Sequence, residues 1–113
     1  MTNARASEFL DYLLDQLGPV EGLRWRFMFG GVGLFRDEVM FGIVVDDALY
    51  LKTDEMNRAA FEAQGLAPFC YLREGREIAL SYYQAPAEAL EDPEELQAWV
   101  RQACDAALRS RKD

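Results

Sequence analysis

Apolar residues change their period along this chain, and each change marks an element. Phe9, Leu10, Leu13, Leu14 and Leu17 recur at helical spacing, with Glu8, Asp11, Asp15 and Gln16 between them. That spacing predicts an amphipathic first helix, and Gly18-Pro19 stops it. From Arg24 the period becomes two. Aromatic and branched residues run up to the Gly30-Gly31 pair and away again to Phe35. This predicts a β-hairpin, because adjacent glycines can take φ > 0 at both corners of a tight turn. With Gly30-Gly31 as a two-residue loop, Phe29 faces Val32 and Phe27 faces Leu34. Trp25, Phe27, Phe29, Val32 and Leu34 then share one apolar face, while Arg24, Arg26 and Met28 take the other. Gly33 is where a bulge would shift everything after it.

Val39 to Val45 is apolar on nearly every position, which predicts a central strand. A two-residue turn at Asp37-Glu38 sets Leu34 opposite Phe41 and Val32 opposite Ile43. Asp46-Asp47 makes the next turn, and residues 48–52 form a fourth strand whose inward side chains are either Leu49 and Leu51 or Tyr50. Thr53 or Asp54 caps a second helix with Met56, Ala60 and Phe61 on its apolar side, and Gly65 ends it. Two more strands follow, 67–72 and 76–83, turning at Glu74-Gly75. Their alternation places Phe69, Tyr71, Ile78, Leu80 and Tyr82 on one face. Asp92-Pro93-Glu94-Glu95 opens the last helix with a cap residue, a first-turn proline and a capping-box glutamate. Leu96, Trp99, Val100, Ala103, Ala107 and Leu108 form its stripe. The expected fold is α+β, a two-layer sandwich of antiparallel sheet with helices on one face, in the order α-β-β-β-β-α-β-β-α.

Length and composition narrow this further. The 113 residues suit one domain over 1–113, and a hydrophobic fraction of 50% supplies a core. The net charge of −8 argues against direct nucleic-acid binding, which needs clustered Lys and Arg. There is no histidine, so the commonest metal ligand and general base are both missing. Cys70 and Cys104 match no zinc spacing and lie in apolar patterns, as free cysteines do. No segment has the core of a signal peptide or the length of a membrane span, which leaves the cytosol as the expected location.

Candidate chemistry is sparse. Asp37-Glu38, Asp46-Asp47 and Glu94-Glu95 are adjacent carboxylates, the first two at turns, where solvation is the ordinary reading. Gly30-Gly31-x-Gly33 is followed by a strand and so lacks the helix that a dinucleotide fingerprint needs. No catalytic residue, cofactor or metal is expected. The candidates for contact with a partner are Arg24 and Arg26, projecting opposite the core, with Lys52 joining them if the fourth strand is close. The plain alternative is a solvated strand face with ion pairs to Asp37 or Glu38.

The motif Arg26-Phe27-Met28-Phe29-Gly30-Gly31-Val32-Gly33-Leu34-Phe35 resembles the N-terminal domain of the TfoX/Sxy family. Leu49-Tyr50-Leu51-Lys52-Thr53-Asp54, residues 65–69, residues 81–86 and the helix around Trp99 fit the same family in the same order. Phe27 departs from it, standing where the family often has a basic residue. The resemblance implies a secretion-chaperone-like α+β domain linked to bacterial regulators of competence that act with a transcription activator. Longer members carry a second, C-terminal domain, and this chain resembles only the first. The expectation is a non-enzymatic domain working through protein contacts, with a strand edge or the outer sheet face available for a homodimer. The rival is a small-molecule-binding domain that uses the aromatic sheet surface as a pocket wall.

Overall fold

The computed structural model describes residues 4–28 and 30–111. Helix α1 (Ala4–Gln16) leads into strands β1 (Leu23–Met28), β2 (Gly31–Arg36), β3 (Val39–Val45) and β4 (Ala48–Lys52). A short helix α2 (Arg58–Ala63), strands β5 (Pro68–Arg73) and β6 (Arg76–Gln84), a 3-10 turn (Ala87–Glu91) and helix α3 (Pro93–Arg111) complete it. The six strands make one antiparallel sheet in the order β1-β2-β3-β4-β6-β5, so β1 and β5 are its edges. The α+β class and the element order are those the sequence predicts.

The helices share one face of the sheet. Leu10 and Leu13 of α1, Leu17 just after it, Phe61 of α2 and Leu96, Val100, Ala103 and Ala107 of α3 are buried in one core with Leu34, Phe41, Val44, Leu49 and Leu51. The fourth strand is thereby settled: Leu49 and Leu51 point inward and Tyr50 outward. Phe61 packs edge-on against Trp99, at 4.8 Å between ring centroids. The Tyr12 hydroxyl donates to the Leu90 carbonyl at 2.7 Å and ties α1 to the 3-10 turn. Helix α3 starts after its predicted cap, with the Asp92 carboxylate accepting from the backbone N–H groups of Glu94 and Glu95. The Asp92 N–H donates to the Ala89 carbonyl and not to the Glu95 side chain, so the predicted capping box is only half made. Leu108 stays outside this core, 53% exposed.

Three expectations need correction. The first hairpin pairs Met28 with Gly31 and Phe27 with Val32, so its loop is Phe29-Gly30, and Phe29 itself lies outside the described residues. Gly30 takes the left-handed corner at φ +73°. Gly31 belongs to the strand because a Cβ there would collide with the Val44 carbonyl oxygen. The pairing moves by two residues, so the faces survive: Trp25 and Phe27 still lie on the side of Val32 and Leu34. They are nevertheless 48% and 76% exposed, because β1 lies beyond the reach of the helices.

The second correction is a bulge in β3. Arg36 pairs with Val39 and Phe35 with Met40, as the Asp37-Glu38 turn requires, but Leu34 pairs with Gly42 and Val32 with Val44. Phe41 is the extra residue. It enters the core, fully buried, and Ile43 is turned to the opposite face of the sheet. The third concerns α2. The Asn57 side-chain oxygen accepts from the Asp54 N–H, and the Asp54 carboxylate accepts from the Met56 N–H. These bonds hold residues 54–57 in a turn. The helix therefore begins at Arg58, and Met56 is 75% exposed instead of packed.

Candidate functional site

The sheet has a second apolar face, and none of the helices covers it. Met40, Ile43 and Val45 of β3, Phe69 and Tyr71 of β5, and Leu80 and Tyr82 of β6 line a groove of about 510 Å³. Its origin lies in the strand period. β3 is apolar at almost every position, so both of its faces are greasy. The bulge at Phe41 then hands Ile43 to the outer face. The β5–β6 alternation supplies the other wall. Tyr50 stands against Phe69 in an edge-on contact at 5.2 Å. Ile43 is the floor of the groove, 3% exposed despite having no helix above it.

Gly33 belongs to this face too. A Cβ there would lie 2.6 Å from the Met28 sulfur and 3.0 Å from the Met40 sulfur. The missing side chain leaves room for two methionines and Phe35 to meet over β2.

Polar atoms sit at the margins of the groove. The Lys52 ammonium donates to the Ser81 hydroxyl at 2.7 Å and lies 5.2 Å from the centre of the Tyr82 ring. Burial among these neighbours pulls the Lys52 ammonium below the usual lysine range, an effect that nearby Asp54 opposes. Burial also pushes the Tyr82 phenol up to about 12. Asp54 itself is turned away, gripped through two N–H donors by Arg109 at 2.6 and 2.9 Å. That guanidinium holds its carboxyl down at about 2.

Arg24, Arg26 and Lys52 all lie on the outer face, but they do not converge. β2 and β3 separate β1 from β4, a distance of about 14 Å at ordinary strand spacing. Arg26 stacks over the Phe35 ring, 5.2 Å from its centre. The Arg24 guanidinium reaches only the backbone oxygen of Asp37, at 3.5 Å. Among the described residues neither arginine has a carboxylate within 4 Å, so the ion pairs to Asp37 or Glu38 are not made. The Asp37 side chain is turned instead against the backbone of Gly22.

Trp99, Trp25 and Tyr82 also lie apart. Trp99 packs with the helical layer, Trp25 is on the inner side of β1, and only Tyr82 reaches the groove. The groove residues that sequence reasoning missed are Met40, Ile43 and Val45. The available signal was the unbroken apolar run of β3, which has to put greasy side chains on both faces.

Among the described residues no three Cys, Asp or Glu side chains gather as a metal site would need. Both cysteines are free, Cys104 buried and Cys70 half-buried. Among the described residues no helix is long and apolar enough to cross a membrane. Asp37, Asp46 and Asp47 occupy left-handed turn positions at φ 56°, 52° and 60°, as turn residues, not as a carboxylate pair aimed at one point.

The sequence is similar to that of known proteins. Residues 13–107 match the family model described as the TfoX N-terminal domain. The chain is also similar to the DNA transformation protein TfoX1 of Aliivibrio fischeri, with 30% identity over 87 residues. That alignment covers 77% of this chain and 42% of the relative, so the chain spans less than half the length of the protein it matches.

Proposed function

The chain belongs to the TfoX N-terminal domain family, and from that premise we propose that it is a non-enzymatic regulatory module for DNA uptake. It works through protein contacts made by the uncovered face of its sheet. The observation that carries this reading is the apolar groove of β3, β5 and β6, open on the side that α1, α2 and α3 leave bare. A bare apolar face with a cation, Lys52, at its margin is what a protein contact needs: greasy area to exclude water, and charge to fix orientation. A relative with 30% identity is a DNA transformation protein, which points the module toward competence. The chain's net charge of −8 favours an indirect route over a grip on DNA.

The test is transformation frequency in the source organism after deletion of the gene and complementation. Wild type restores uptake. A Tyr71→Glu/Leu80→Glu variant, changed only on the open face, falls toward the deletion level at equal protein abundance. Full activity of that variant would overturn the reading.

The groove volume also favours a second reading, binding of a small apolar anion. About 510 Å³ is within the range of small-molecule sites, and Lys52 stands at one side. A saturable ligand that perturbs Tyr82 and Ile43 resonances, and is lost with Lys52→Met, would select it.

A further inference from the structure

We propose that the free edge of β1 is a docking strand for an extended, acidic partner segment. The segment carries carboxylates at alternate positions and apolar side chains between them. This rests on the reading of the domain as one that works through protein contacts. Its test, however, measures peptide binding and not DNA uptake, so either idea can fail alone.

The argument begins with the two sheet edges. β5 is entered through Pro68 and has an irregular register next to it, both of which blunt an edge. β1 pairs only with β2, through six consecutive residues with no proline, glycine or bulge. Its four central residues, Arg24 to Phe27, are all exposed. Among the described residues no backbone group pairs with its outward side. An open, regular strand of this kind offers main-chain hydrogen bonds to any extended segment laid beside it.

The side chains decide which segment. On the outer face Arg24 and Arg26 stand two residues apart, and among the described residues neither has a carboxylate within 4 Å. On the inner face Trp25 and Phe27 extend the core surface past the helices. A matching strand therefore needs an acid opposite each arginine and an apolar residue opposite each ring.

A second copy of β1 fits badly. Antiparallel pairing with the faces matched sets arginine against arginine in every central register, and directly opposed like charges destabilise a strand pair. The same arginines guard the edge against self-association. Arg24, Arg26, Asp37 and Glu38 line one hollow, and among the described residues neither carboxylate comes within 4 Å of either guanidinium. The chain's overall charge of −8 repels an acidic segment at a distance, so the selection is made locally, at these two positions.

The experiment uses a short capped peptide that alternates valine with glutamate, titrated into the full chain and followed by backbone amide resonances. The expected result is saturable binding with shifts confined to β1 and the adjacent part of β2. N-methylation of every second peptide residue abolishes binding in one phase and spares it in the other. Arg24→Glu/Arg26→Glu, two exposed substitutions checked for an unchanged thermal transition, weakens binding about tenfold or more, the size expected when two cross-strand pairs turn repulsive. A peptide with lysine in place of glutamate binds that variant and not the wild type.

If the double variant fails to fold, the N-methyl pair decides with the wild-type chain. Absence of binding at millimolar peptide would overturn the proposal. So would binding indifferent to the charge reversal, shifts centred on the groove or on β5, or self-association of the chain through β1.

Discussion

The two faces of this sheet are similar in chemistry and different in fate. On one, Leu34, Phe41, Val44, Leu49 and Leu51 lie under three helices and are buried. On the other, Met40, Ile43, Val45, Leu80 and Tyr82 are about as apolar, and no described helix lies over them. Burial is driven by area and not by direction, so apolar character alone does not choose which face is covered. The connections choose. α1 enters before the first strand, α2 bridges β4 to β5, and α3 follows β6, and all three return to the same side. What remains on the far side is an apolar surface with a buried floor at Ile43 and no described helix above it.

Substitutions on the two faces should separate those roles. Phe41→Ala, at the bulge and wholly inside the core, should cost about 3–5 kcal/mol in urea unfolding, the sum of lost transfer energy and the cavity left behind. Leu80→Ala, on the open face and only half-buried, should cost no more than about 1 kcal/mol in the same assay. If the two variants unfold at the same urea concentration, the faces are energetically alike and the contrast fails.

The smallest effect is expected at the surface bridge between Asp54 and Arg109. The guanidinium holds the Asp54 carboxyl at about 2, below its ordinary value of 3.8. The stabilisation is therefore complete above about pH 4 and is lost as the pH falls toward 2. Asp54→Asn should flatten that part of the acid-unfolding curve while leaving stability near neutral pH only slightly reduced. An unchanged acid limb would remove the bridge from the account.

Much of this is legible in the residues. The Asp92 cap, the acidic turns and the stripe of α1 all fold as their local chemistry demands. The β5–β6 alternation also predicts the wall made by Phe69, Tyr71, Leu80 and Tyr82. The groove as a whole is less legible, because its floor depends on one inserted residue. A bulge at Phe41 reverses the side of Ile43, and nothing within β3 itself distinguishes Phe41 from its apolar neighbours. Whether Lys52 joins Arg24 and Arg26 is hidden for a related reason: the three share a face, but the number of strands between them is a property of the assembled sheet.

The sequence by itself determined the elements, their order and the side on which most strand residues fall, since periodicity, caps and turn residues act over a few positions. Only the tertiary structure decided three further things: where β3 gains its extra residue, how far the helices reach toward β1, and which apolar face stays open. Each depends on contacts between segments distant in the chain, where the winner is set by the packing of the whole and not by any local preference.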